Sequence, residues 1–295
     1  MNVPNGLRRL PRDTRDFSLG AVYSLPPVSE LPAEFVLQPL EIKNQGDTDM
    51  CTAFATSAVS EQEEGVTLDP LYFFAKEKQT IGDPTGYGAN LRDACNAAVT
   101  YGFIEKKDAP YALDKGRDFI ADWKNYDPTL DDNAAIHRKK AYFSIDGPYD
   151  TFDNIRATIW KFRNEKRAVL SGAFWKSSWT GQYYGIIPKD TEPSNSGHAF
   201  AIIGWRLIFG EPCLVIQNSY GKQLGNEGLF YMPREVANRD LIFGNFTFLD
   251  MPEGETKESL VEKSKQYRMQ KLNLFKKLLS LLQEYLQIVT TKYYD

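Results

Sequence analysis

The chain has 295 residues, of which 35 are basic and 39 acidic, for a formal net charge of −4. Apolar residues at 42% and charged residues at 25% exclude a chain that is disordered throughout, and the length allows one large domain or two small ones with a real core. The mild acidity excludes non-specific nucleic-acid binding, which needs a basic face.

Residues 1–30 are rich in Pro, Arg and Asp, so they read as an extended arm lying on the surface of the fold. The arginines of MNVPNGLRRLPRDTRDF are not followed by the apolar run of a secretory signal. Residues 31–136 read as mainly helical. The first helix covers DMCTAFATSAVSEQEE from Asp49 to about Glu64, with Asp47, Thr48 or Asp49 as cap. A second starts at Asp69-Pro70. A glycine-rich turn (Gly82, Gly86, Gly88) leads to a third in LRDACNAAVTYG. Residues 137–250 change character. AYFSI, RAVLSGAF, YYGIIP, HAFAIIGWR, CLVIQNSY, GLFYMP and LIFGNFTFL are short β-branched or aromatic runs between turn residues, the pattern of antiparallel strands. A helical half followed by a strand-rich half gives an α+β expectation with two subdomains.

Residues 251–295 form a tail with an amphipathic helix. From 256 onward it carries eight basic and four acidic residues, a net of +4 that leaves −8 on residues 1–255. Apolar residues recur at three- and four-residue spacing from Lys271 to Val289. Such a stripe has three outlets: docking on its own domain, pairing with copies of itself or a partner helix, or an anionic membrane surface. Pairing is the reading we adopt.

Three cysteines, Cys51, Cys95 and Cys213, cannot all pair, so a disulfide scaffold is excluded and reduced thiols are expected. Cys51 starts a helix, where the dipole and unsatisfied N–H groups favour the thiolate, the nucleophilic form. Cys95 on a helix face and Cys213 in a strand read as core. The chain has two histidines. His137 has charged neighbours and reads as a solvated surface residue. His198 lies 147 residues after Cys51, in GHAFAIIGW, and Asn218 lies 20 beyond it, in IQNSYG. Gln45 precedes Cys51 by six residues. No His/Cys cluster has metal-ligand spacing, and Gly86-Tyr87-Gly88 lacks the rest of a dinucleotide fingerprint, so no metal or cofactor is expected.

Cysteine first, then His and Asn far downstream, is the chain order of papain-like cysteine peptidases, and the chain resembles that family over roughly residues 31–250. KNQGDTDMCTAFA resembles the oxyanion-glutamine and nucleophile segment. SGHAFAIIGW and IQNSYGKQLGNEGLFYM resemble the histidine and asparagine segments, and YGANLRDACNAAVTYGFIEKKDAPY the substrate-cleft loop and helix.

The resemblance implies a helical left subdomain, an antiparallel β-barrel-like right one, and hydrolysis of polypeptide substrates through an acyl-thioester on Cys51. His198 would be the general acid/base, Asn218 its orienting partner and Gln45 an oxyanion donor. Gly88, Ala89, Asn90, Ala199 and Tyr220 would line the substrate cleft. Tyr220 stands where the family usually has a shielding Trp, with Leu224 as its companion. Asp49-Met50 replaces a common Gly-Ser pair, and the Asp49 charge would oppose the thiolate. Thr52 instead of an aromatic resembles bacterial and viral relatives. Thr48 stands where secreted members have a disulfide-bonded cysteine, which fits a cytoplasmic chain, with virion association as a second location. An amidase acting on cell-wall peptide and a catalytically silent scaffold are the alternatives. The short arm would wrap the domain rather than plug the cleft.

Overall fold

The computed structural model describes residues 6–9, 13, 15–181 and 183–294; the rest of the amino-terminal arm expected from sequence lies outside them. Three helices come first: α1 (Cys51–Glu64), α2 (Pro70–Ile81) and α3 (Leu91–Thr100). Each start has a local cause. The Asp69 carboxylate accepts from the Leu71 and Tyr72 N–H groups, and Pro70 pre-sets the first turn of α2. Asn90 caps α3 through the Arg92 and Asp93 N–H groups. Helix α1 has no side-chain cap at all; Met50 stands in the capping position. The expected caps are thus absent. Gly65 and Gly82, both in left-handed conformation, close α1 and α2. Short helices α4 (Arg117–Ala121) and α5 (Leu130–Ala135) follow.

The strands are β1 (Phe17–Ser18), β2 (Phe35–Val36), β3 (Ala141–Ser144), β4 (Val169–Phe174), β5 (Gly197–Ile208), β6 (Glu211–Gln217), β7 (Leu229–Pro233) and β8 (Asn245–Leu249), with helices α6 (Thr151–Lys161), α7 (Ser177–Thr180) and α8 (Arg234–Asp240) between them. They form one sheet in the order β1-β3-β8-β4-β5-β6-β7, with β2 pairing off β5. The sheet is open, so the barrel-like expectation is corrected. One edge is β1, a piece of the arm that adds in parallel to β3 and packs under the terminal helix. The other edge is β7, which beyond β6 makes isolated bridges from Tyr231 to Ile186 and from Leu229 to Asn226. YYGIIP is not a strand. Tyr184 and Gly185 take positive φ, and a Cβ on Gly185 would sit 2.3 Å from the Leu229 carbonyl.

Strand β5 organises both layers. Ala199, Ala201 and Ile203 face the helical layer, in the core that holds Cys51, Phe54, Leu71 and Cys95. Phe200 and Ile202 face the opposite core with Phe152, Ile155 and Val236, as the period-two pattern requires. A register shift between Ile202 and Gly204 then turns Trp205 into the second core. Small residues on α1 (Ala53, Ala55, Ala58), all buried, let it lie against β5. That contact brings the start of α1 to the start of β5.

Candidate active site

Cys51 is the first residue of α1, fully buried, with backbone hydrogen bonds from Ala199 and Gly6 reaching its sulfur. Ala199 directly follows His198, so the Cys51 sulfur lies at the same end of β5 as the imidazole, between the layers. The His198 Nε2–H donates to Asn218 Oδ1 at 2.7 Å. The Ser219 N–H donates to the same oxygen at 2.8 Å. An oxygen that already accepts from Ser219 requires Nε2 to carry the proton. The basic nitrogen is then Nδ1, which has no hydrogen-bond partner among the described residues.

The ring is held on both sides. Tyr220 stacks on it, with centroids 4.6 Å apart and planes at 23°. Trp175 meets it edge-on at 5.1 Å and also contacts Tyr220 at 5.8 Å. Tyr220 is therefore a shield over the His198–Asn218 bond rather than a wall of the substrate cleft. Sequence reasoning did not single out Trp175. It follows β4, whose Ala173 pairs with His198, and only that register brings it there. Gln45 is buried beside this group. Its Oε1 accepts from Ser219 Oγ at 2.6 Å, its Nε2–H donates to the Thr48 carbonyl at 2.7 Å, and its backbone N–H donates to the Ser219 carbonyl at 2.9 Å. The amide is thus fixed between the asparagine segment and the turn that precedes Cys51.

The cleft is occupied by the chain's own arm. The Leu7 N–H donates to the Gly197 carbonyl at 3.0 Å, the Arg8 N–H to the Ala89 carbonyl at 2.8 Å, and the Ala89 N–H to the Gly6 carbonyl at 3.0 Å. Leu7 and Ala89 form a parallel bridge. Gly6 lies so close to the start of α1 that a Cβ there would come within 1.9 Å of the Asp49 carbonyl. Leu7 covers Gly172, whose added Cβ would meet Leu7 Cδ2 at 2.3 Å. The arm both wraps, at β1, and plugs, at residues 6–8. The expected surface arm is corrected for that segment: Gly6 alone has the slimness to pass over α1, and Leu7 buries its side chain in the core.

The plug sets the electrostatics. Burial pushes the Cys51 thiol up to about 12, against the pull of the two backbone hydrogen bonds. Burial pulls His198 down to about 4, against the Asn218 hydrogen bond. Both shifts favour the neutral thiol and the neutral imidazole.

Asp49 does not act as expected. Its carboxylate accepts from the Gly88 N–H and from Arg117 Nε at 3.2 Å, so its charge is met by a guanidinium. Arg117 also donates to the Pro84, Thr85 and Gly86 carbonyls, and Lys78 Nζ to those of Gly86 and Gly88. Burial, with Arg117 nearby, lowers Lys78 to about 8. Below them Thr52 Oγ1 donates to Glu77 Oε2 at 2.8 Å, and burial raises the Glu77 carboxyl well above the carboxylate range. The loop at 83–89 is therefore clamped through its backbone. This corrects the roles expected at its end. The Gly88 N–H and C=O are taken by Asp49, Lys78 and Arg8, Asn90 caps α3, and Ala89 offers its backbone to an extended chain. Replacing Arg117 with Gln should raise KM for peptides about tenfold and change kcat little, because positioning rather than the reacting groups is lost; steady-state kinetics on the arm-free enzyme measures it.

Other sequence candidates lie elsewhere. His137 is not a solvated residue: its ring is 13% exposed and pairs through Nδ1 with Glu64 at 3.0 Å. Cys95 and Cys213 are buried and free. Among the described residues no group of His, Cys, Asp and Glu is arranged to hold a metal ion.

Comparison with known proteins supplies the deciding observation: the family model described as "Papain family cysteine protease" matches residues 37–244. The chain belongs to the papain family of cysteine proteases. It is 25% identical over 240 residues to a viral cathepsin of Antheraea pernyi nuclear polyhedrosis virus, covering 77% of this chain and 67% of that protein. Among solved structures it resembles xylellain, a cysteine protease from Xylella fastidiosa, with a TM-score of 0.69 and 21% identity over 84% of this chain and 97% of that one. Digestive procathepsin L 3 of Tenebrio molitor gives 0.61 and 15%, covering 83% and 76%. Bromelain of Ananas comosus gives 0.54 and 16%, covering 75% and 100%. The shared fold matches the α+β expectation, and this protein is a cysteine-type peptidase that takes polypeptide substrates.

Proposed function

We propose that the peptidase reaction runs on Cys51, His198, Asn218 and Gln45, and that residues 6–8 hold the enzyme in a latent state. The observation that carries this reading is a helix-N-terminal thiol beside the start of the strand that carries an imidazole whose far nitrogen is bonded to Asn218 at 2.7 Å. With the arm withdrawn, His198 Nδ1 takes the thiol proton. The thiolate attacks the peptide carbonyl carbon, and the oxyanion meets the Gln45 amide and the Cys51 N–H, left uncapped at the start of α1. One such donor is worth about 2.7–4 kcal/mol. The imidazolium then protonates the leaving nitrogen as the C–N bond breaks. Water, deprotonated by His198, attacks the acyl-thioester, and the C–S bond breaks to release the acid and restore the thiol.

The plug also suggests a substrate class. Leu7 sits over Gly172, which pairs with Ala199 across β4 and β5, so two small residues make room for one apolar side chain. An extended peptide with a Leu-like residue in that seat fits. The Gly6 backbone group that reaches Cys51 acts as a donor to the sulfur.

Labelling with an epoxide thiol trap tests the assignment. A chain starting at residue 13 should be modified at Cys51 and lose peptide hydrolysis in step, while Cys95 and Cys213 stay unlabelled; the full chain should label far more slowly. No labelling of the shortened, folded chain between pH 4 and 8, a range of about the span of thiolate formation, would favour a silent scaffold. Cleavage of purified peptidoglycan without peptide hydrolysis would favour a cell-wall amidase.

A further inference from the structure

The last helix, α9 (Lys257–Tyr294), is two different surfaces joined end to end. Its first part docks on the domain. Leu260 and Ser264 are buried, Ser264 Oγ accepts from the Ser18 N–H at 2.8 Å, Arg268 Nη2 donates to the Asp16 carbonyl at 2.7 Å, and Lys271 reaches the Gly147 carbonyl. That series steps by four, four and three residues. It continues in the same rhythm as Phe275, Leu278, Leu282 and Tyr285, so one face of the helix runs through both parts. Past Lys271 the face leaves the domain. Leu274, Phe275, Leu278, Leu281, Leu282 and Tyr285 are 51–63% exposed.

We propose that this distal half of α9 is a dimerisation element that pairs antiparallel with the same segment of a second copy of the chain. Three observations select that occupant. The exposed apolar side chains present on the order of 800 Å² per copy, the half-share of a standard stable interface. The charge pattern fixes the direction. Lys277 and Glu284 lie on the same flank of the stripe, beside Leu274 and Leu281, and are spaced equally about the middle of residues 272–289. Antiparallel pairing about that middle sets each Lys277 level with the partner copy's Glu284, with Lys276 close by. Parallel pairing would set lysine against lysine and glutamate against glutamate. Third, the domain occupies the same face at the start of α9, so a parallel partner would collide with it. An antiparallel one leaves the two domains at opposite ends. The polar face of the distal half carries Lys276, Lys277 and Glu284 among Asn, Ser and Gln, too few cations for an anionic-lipid helix. No described helix is long and apolar enough to cross a membrane.

Light scattering on the full chain should give twice 33.6 kDa, and a chain ending at Lys271, which keeps the docked half, should be a monomer whose far-ultraviolet dichroism falls only by the helical signal of the residues removed. Glu284→Lys should weaken the dimer several-fold, and adding Lys276→Glu and Lys277→Glu to it should restore the dimer. A full chain that stays monomeric at its highest soluble concentration overturns the proposal. So does a monomer that floats with phosphatidylserine vesicles, which would make the stripe a lipid-binding surface, and so does a dimer as tight with Glu284→Lys as without it.

Discussion

Deleting residues 1–12 should raise kcat/KM on peptide substrates by about a hundredfold, the factor withheld by an equilibrium that is about 99% closed. The plug is tethered, so its high local concentration keeps it in place, and dilution will not release it. Gly6→Val should mimic the deletion within a full-length chain. A Cβ at Gly6 would fall 1.9 Å from the Asp49 carbonyl, and neither α1 nor the arm backbone can move aside without losing the Leu7 and Arg8 hydrogen bonds. The domain itself keeps β1 and its core, so the thermal midpoint should fall by only a few degrees. Full-chain activity equal to that of the deletion would show that residues 6–8 do not restrain the enzyme.

Much of this arrangement is legible in the sequence because it depends on local chemistry. Asp69-Pro70 announces a helix start through capping, and the β-branched and aromatic run HAFAIIGWR announces a strand. Cys51, His198 and Asn218 stand out because the chain offers so few imidazoles and its motifs keep their order. What was not legible depends on register. Trp175 reaches His198 only because Ala173 pairs with it across β4 and β5. Arg117 lies 68 residues from Asp49, and nothing in either neighbourhood announces the pair. The arm misleads for a different reason. A proline- and arginine-rich segment with no periodicity looks like surface chain, and the need for Gly6 is set by the carbonyl it passes over. The open sheet has the same origin: β1 is two residues long, supplied by the arm, and no strand signal marks it.

In the arm-free enzyme, Cys51→Ala should abolish peptide hydrolysis to background, and His198→Ala should cost nearly as much, on the order of 10⁴-fold or more in kcat, because the two act as one unit. Asn218→Ala should cost less, and the structure says why. Asn218 takes no proton. It fixes the tautomer by accepting from Nε2 while its own orientation is set by the Ser219 N–H. Tyr220 and Trp175 still clamp the ring when the amide is gone. A loss of about 10²-fold in kcat with KM nearly unchanged is expected, roughly the contribution of a positioned general base. The double variant Asn218→Ala with Trp175→Ala removes the orienting bond and the edge contact together, and should fall to the level of His198→Ala. If the double variant stayed well above that level, the ring would be held chiefly by other contacts, the Tyr220 stack first among them, and the Trp175 edge contact would not be what backs up Asn218.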